Sequence, residues 1–480
     1  MRSAVWIRVL VLLGVLSTFG CESSNEDSAE HPDPGTSAVQ PGYRASLYPT
    51  PWPADQANLN RSNSVVNAGL PVGVKPGEVA VESVEMPFPT FAYTREANEV
   101  FVLGGLPTSL EDIISEIDGE APGENAFEPH LSRYNPETAE VVQLDLDRGT
   151  GTPYVGGALI HANGFVYVLS QAYLYKIDAE TMDIVEGRQL ADSPGRIYNG
   201  LATGRSGELI TKYFSLFSPT PDSAFLLLDP DTLETRYALE APGATPRLTV
   251  HEDESGREFL YHLNTETTFR FEITGGELVY DDSWVSRYDP YGTGAPNNEP
   301  TSPIIVGGRV HYCTNTMEQT SEDPMRIFWQ EVEANYSETD SPLLGQPMLE
   351  GIDTPGWSFF SPAIDDLLGI IVGMDMGSRA LVALRIRDDG SLQRLWQKNL
   401  AGGARPTIVG DRGYVYATDW VEGVDHLVLL DLETGTEILR VPTTATRPTV
   451  ATIVVLGDEV YYGSGEPGRP TGLFHRFYVP

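Results

Sequence analysis

The chain has 480 residues, 41% of them hydrophobic, with 47 glycines, 36 prolines, two cysteines and a formal net charge of −37 from 31 basic and 68 acidic side chains. That length exceeds what one ordinary core serves, so the chain divides into domains or repeats radially, and its glycine and proline content suits short strands and tight turns. The charge excludes nucleic acid as a partner, because a polyanion would be repelled by most of this acidic surface; two cysteines exclude a disulfide framework, and there is no CxxC pair and no DxDxDG calcium loop.

In chain order, the first element is MRSAVWIRVLVLLGVLSTFGC, residues 1–21. Arg2 and Arg8 supply positive charge, and the apolar run 9–16 is too short to span a bilayer, which identifies residues 1–20 as a signal peptide. LSTFGC resembles the lipobox of bacterial lipoproteins, in which the cysteine, here Cys21, becomes the lipidated first residue. Gly20 fits that pattern, while Thr18 stands where the family prefers leucine. Residues 21–50 are polar, acidic and poor in large apolar groups, and are expected to form a disordered tether. Glu22 is not the aspartate that signals inner-membrane retention in enteric lipoproteins, so the expected address is the cell envelope, at the outer membrane, with the periplasmic or surface side left open.

The remainder, 51–480, reads as one repeating domain. EVAVESVEM, residues 78–86, is a strand-like run standing before the repeats. One recurring unit is a polar turn with threonine in fourth place: NPETA from Asn135, DAETM from Asp178, DPDTL from Asp229 and DLETG from Asp431, with weaker versions at Glu272, near Asn335 and at Arg387. Each follows an apolar run and precedes another, so each is a hairpin. A second hairpin precedes it, as in ALIHANGFVYVLS (158–170), SPIIVGGRVHYC (302–313), SPAIDDLLGIIVG (361–373) and RPTIVGDRGYVYA (405–417), with period-two alternation around a small turn. Two hairpins per period make a four-stranded blade. The spacing predicts an all-β fold, an eight-bladed β-propeller of four-stranded antiparallel blades starting near Phe88, Gly156, Gly200, Pro246, Ser302, Ser361, Arg405 and Thr452; seven blades is the alternative count. The last blade has three strands, and the run 78–86 is expected to supply its fourth and close the ring. The triplet Arg-Pro-Thr occurs at 405 and 447, but the turn glycines Gly410 and Gly457 align at a spacing of 47, so the hairpin repeats and the triplet does not.

These units resemble the PQQ-like repeat of the quinoprotein alcohol dehydrogenase-like superfamily, whose pattern SPxxxxGxVYVG, LYALDxxTG and a closing tryptophan is carried best by 302–313, 165–182 and 426–435, with Trp396 as the closing tryptophan; PWPADQANLNRS (51–62) resembles the family's lead-in. Active members use adjacent cysteines, a calcium-binding carboxylate set and a catalytic aspartate. No adjacent cysteines occur here and no calcium trio can be matched, so no cofactor and no PQQ is expected. Other members are non-catalytic envelope lipoproteins that bind protein partners through the propeller faces.

Other chemistry is absent from the pattern. GSGEPG (463–468) matches GxGxxG but contains a proline and leads into no helix, so it reads as a loop between strands. There is no GxSxG and no HExxH. His161, His251 and His311 read as structural, Cys313 as a buried small apolar group, and Asp281–Asp282 as a solvated turn pair. No metal site is expected.

Strand alternation puts the two–three loops and blade-to-blade connections on one face, and the one–two and three–four turns on the other. The first face is elaborated: its blade-one loop, 105–129, spaces Leu110, Ile113, Ile114 and Ile117 as on a helix, with Thr108 and Glu111 in a capping-box pattern, which makes it the candidate partner face. Arg196, Arg247, Arg405 and Arg447 fall in or beside connections on that face, as do Asn298 and Trp357; they are candidate binding residues at the rim of the axial channel, the alternative for the arginines being ion pairs that hold blades together. The function expected is that of a monomeric, lipid-anchored envelope scaffold binding a protein or polymer partner. The alternative is an envelope enzyme, an oxidoreductase or lyase, with its site at the channel mouth.

Overall fold

The computed structural model describes residues 45–480 except 106–128, 147–154, 191–195, 216–221, 243–245, 265, 289–298, 316–324, 338, 344, 352–355, 357, 359, 446–450 and 466–471. Eight antiparallel sheets of four principal strands form a ring, each sheet with its first strand innermost. The innermost strands are Pro89–Thr94, Val155–Ile160, Arg196–Thr203, Thr249–Glu252, Ile304–Val306, Ala363–Asp365, Thr407–Val409 and Val454–Leu456. They border one another around the ring. All eight expected blades are present, and the eighth is completed as the sequence predicts: Ala80–Met86 pairs antiparallel with Gly472–Tyr478, from Ala80 opposite Tyr478 to Met86 opposite Gly472. The strand that precedes the first blade and the last strand of the chain thus share one sheet, which closes the ring without an open edge. Arg405 bridges to Thr452, which is the 47-residue register of the turn glycines.

The repeated polar turn has a physical basis in local hydrogen bonding. Its first side chain accepts from the backbone N–H groups two and three residues on, in Asn135, Asp178 and Asp229; Asp431 accepts from the N–H of Thr434. The threonine hydroxyl accepts from the N–H two residues further. The fifth residue has positive φ, 57° at Ala139, 63° at Met182, 55° at Leu233 and 67° at Gly435. Asx and threonine side chains supply this geometry from within the turn, so it recurs wherever the letters recur.

The blades are held together by apolar clusters shared between neighbours, such as Tyr261, Trp284, Tyr312 and Phe328 between blades four and five, and by basic side chains reaching from the third strands of five blades to the next blade's outer turn. Arg133 donates to Ala179 O, Lys176 pairs with Asp231 at 3.1 Å, Arg270 donates to Val332 O, Arg385 pairs with Glu433 at 2.6 Å, and Arg476 of the last blade donates to Pro136 O of the first. Trp396 makes the equivalent contact from blade six, its Nε1 donating to Leu432 O at 2.9 Å. Much of the scarce basic charge is therefore engaged between blades. Asp281 and Asp282 lie within the strand Glu277–Arg287 and not in a turn. Asp281 pairs with Arg270 at 2.7 Å, which corrects the reading of a solvated pair: its strand runs on past the point where the Gly275–Gly276 hairpin turn ends.

Candidate functional site

The inner strand of a blade leaves one edge facing the axis, and its backbone groups require partners. Residues 46–70 provide them. Thr94 N donates to Trp52 O at 2.8 Å, Ile160 N to Pro53 O at 2.6 Å, Ile305 N to Asn60 O at 2.8 Å, Ile364 N to Ser62 O at 2.7 Å and Ile408 N to Asn63 O at 3.1 Å. Arg61 Nε donates to Leu248 O at 2.9 Å, and Gly69 N donates to Gly457 O at 2.7 Å. Through these hydrogen bonds the segment touches blades one, two and four to eight. It rises beside blades one and two, crosses past blades four to six, and descends parallel to Thr407–Val409 through Ser64–Val65. Trp52, Leu59, Arg61, Asn63 and Val65 are fully buried. Gln56, Ala57, Arg61, Asn63 and Asn67 all adopt positive φ, which lets so short a segment change direction repeatedly but costs roughly 1–3 kcal/mol at each such residue. It is an axial belt, and it begins inside the expected tether: Ser46, Leu47 and Thr50 are buried against the propeller.

The belt's charged centre is Asp55. Its carboxylate receives Arg247 Nη1 at 2.6 Å, with both side chains essentially inaccessible. It also accepts from the Tyr93 hydroxyl, which in turn accepts from Ala158 N at 3.0 Å. Burial raises the Asp55 pKa, opposed by the Arg247 charge and the Tyr93 hydrogen bond. Burial likewise raises the Tyr93 pKa, so this hydroxyl remains a neutral donor. Room for the pair is made by Gly157, at φ 117°, where an added Cβ would collide with the Arg247 guanidinium and the Asp55 carboxylate. The belt's descending arm is fixed by the Ser64 hydroxyl donating to Asp365 at 2.7 Å and by Asn63 Nδ2 donating to Pro406 O. Such an enclosed ion pair anchors the belt; with no accessible face it offers no nucleophile or acid to a substrate.

The candidate binding residues separate. Arg247 and Arg405 are both 0% exposed, so neither stands at an open rim. Arg405 donates to Pro362 O at 3.0 Å, and its pKa is driven down by burial and by the like charge of Arg61. Both point into the ring because the belt brings their partners there, which no repeat pattern encodes. Arg196 is half-buried, its guanidinium 4.3 Å from the centre of the Tyr213 ring. Arg447, Asn298, Trp357, Cys21 and the helically spaced Leu110, Ile113, Ile114 and Ile117 lie outside the described residues.

The structure gives other singled-out residues structural positions. His161 bonds Gly207 O at 3.0 Å, and His251 Nδ1 bonds Asn60 Oδ1 of the belt at 2.9 Å. His311 is fully buried, and burial together with the Arg309 charge lowers its pKa to about 3. Cys313 is buried in a strand, and burial pushes its thiol up to about 12. Gly463, Ser464 and Gly465 of the glycine motif belong to the strand Glu459–Gly465, so the motif starts within a strand and not in a loop. No group of three His, Cys, Asp or Glu side chains among the described residues is placed to hold a metal ion. A cavity of about 560 Å³ opens on the turn face between blades one and two, lined by Glu96, Glu99, Arg133, Asn135, Glu140 and Glu180. Its central carboxylate is engaged, Glu99 pairing with Arg95 at 2.6 Å.

The sequence reading missed Asp55, Arg61 and Asn63. The available signal was a polar, non-repeating stretch standing between the tether and the strand-like run 78–86, rich in Asn and Ser yet carrying no strand pattern of its own.

No protein-family model matches the chain, and no curated protein does. Solved structures with a similar fold include the quinohemoprotein alcohol dehydrogenase of Pseudomonas putida, at 11% identity over 90% of this chain and 80% of that one, TM-score 0.43. The quinohemoprotein alcohol dehydrogenase of Comamonas testosteroni has 10% identity over 90% and 81%, TM-score 0.43. Virginiamycin B lyase of Staphylococcus aureus has 9% identity over 84% and 100%, TM-score 0.42. At these identities the likeness is one of fold and extends to no residue's role.

Proposed function

We propose that this protein is a lipid-anchored β-propeller of the cell envelope that acts as a binding or scaffold protein for a protein or polymer partner. The observation that carries the reading is the axial belt. A propeller that acts on a small molecule at its axis needs an open, polar pocket there. Here residues 46–70 of the same chain lie along the inner strands and bury Arg247 and Arg405. Binding is then left to the faces. Gly104 and His130, the paired residues that flank 106–128 in sequence, lie on the face of the two–three connections. An expected monomer with an acidic surface suits a display role, since net charge of this size keeps copies apart.

Two measurements test the reading. Cys21→Ser moves the protein from the membrane fraction to the soluble fraction; unchanged retention refutes the anchor. Photo-crosslinkers placed singly at Glu266 and Glu422, exposed on two–three connections, capture one recurrent species in intact cells that the same crosslinker at Glu254 on the turn face does not. Equal capture from both faces, or none from either, refutes a face-specific scaffold.

A further inference from the structure

We infer that the face carrying the one–two and three–four turns is the membrane-side face, and that the two–three connections are presented away from the lipid surface. This rests on the lipid-anchored reading and adds a direction to it.

The belt enters and leaves the ring at the same end. At its start, Ala162 N donates to Ser46 O at 3.0 Å and Tyr48 N donates to Ile160 O at 3.0 Å, which puts Ser46 against the one–two turn of blade two, between Val155–Ile160 and Phe165–Ser170. At its finish, Asn67 N donates to Asp411 Oδ1 at 3.0 Å, and Arg412 Nη1 donates to Gly69 O and to Leu70 O at 2.9 Å; these belong to the one–two turn of blade seven. The chain preceding Ser46 therefore issues from the turn face.

The length of chain to the anchor makes this consequential. About 24 residues separate Cys21 from Ala45, and a chain of that length behaving as the tether its composition leads one to expect has a root-mean-square span of about 27 Å. To reach the opposite face, the linker would have to pass outward over the other three strands of a blade, about 14 Å at the usual strand spacing, and then along the height of a seven-residue strand, about 23 Å. That path, about 37 Å before any allowance for side chains, exceeds the relaxed span though not the roughly 80 Å extended reach of the chain, so the opposite orientation carries an entropic stretching cost of about 1 kcal/mol. Lying with the turn face toward the lipid needs no such extension.

The experiment uses the full-length, lipidated chain in phosphatidylcholine vesicles that contain a small fraction of acceptor-labelled lipid. Cys313 is 1% exposed and escapes labelling, and Cys21 is consumed by lipidation, so single added cysteines can be labelled with a donor. Glu254→Cys and Glu266→Cys sit at opposite ends of blade four, both exposed; Glu433→Cys and Glu422→Cys repeat the comparison in blade seven. Energy transfer from Glu254→Cys and Glu433→Cys exceeds that from Glu266→Cys and Glu422→Cys at least twofold. Vesicle-bound protein with equal or reversed transfer in both pairs overturns the orientation while leaving the anchor standing. Protein that does not float with vesicles, and behaves like Cys21→Ser, overturns the anchor and the orientation with it. Agreement of the two pairs guards against one variant that misfolds.

Discussion

Replacing Asp55 by alanine removes the carboxylate facing Arg247 while leaving the guanidinium enclosed. The two groups are 2.6 Å apart, with side chains 1% and 0% exposed, so solvent screening does not discount the interaction. Removing one partner of a buried pair costs about 3–5 kcal/mol. The loss of the Tyr93 hydrogen bond falls within the same network and is not added to it. Urea unfolding followed by tryptophan fluorescence measures the change, with Trp52, buried in the belt, as one of the seven tryptophans that contribute to the signal. Asp55→Ala also exposes residues 46–70 to limited proteolysis. The double variant Asp55→Ala/Arg247→Met is more stable than Asp55→Ala alone, because the charge that needed compensation is gone. A single variant within about 1 kcal/mol of wild type, or a double variant showing the plain sum of two losses, refutes the anchoring role of this pair.

Gly157→Ala forces a Cβ onto Arg247 and Asp55 at a φ of 117°. It lowers stability by about 2 kcal/mol or more, whereas Gly164→Ala, at φ 85° with open space around it, costs about 1. His311 and His475 are held neutral, with pKa values lowered to about 3 and about 4, and His130 and His161 are lowered too. The unfolded chain therefore binds protons first as pH falls, so this contribution is full above about pH 6.5 and declines below it, by at most about 1.4 kcal/mol per pH unit for each histidine. Urea midpoints between pH 6.5 and 5 show the decline, and His475→Gln reduces its slope by about one proton; a flat profile contradicts the burial of these rings. Cys313, buried with its thiol pushed up to about 12, reacts with a thiol reagent only after denaturant is added.

How much was legible depended on whether the information was local. The turn at Asp178 is specified by its own carboxylate and Thr181, the outer strand Ala80–Met86 by its alternation, and the 47-residue register by Gly410 and Gly457. Each survives in the structure because the partners lie within a few residues or are dictated by the repeat. Arg247 and Arg405 looked alike in sequence to a rim residue, since both precede an inner strand. Their burial depends on Asp55 and Arg61, 192 and 344 residues away.

The sequence by itself determined the hairpin period and the closing strand and favoured eight blades over seven, because hairpins draw on side-chain alternation and turn chemistry that act over short distances; the closed ring decided the count. Only the tertiary structure decided the belt. A polar segment with five left-handed residues has no conformation of its own to prefer, and takes one only where a ring of inner strands offers it unpaired N–H groups. The same closure settled which arginines lie inside and from which face the chain toward Cys21 departs.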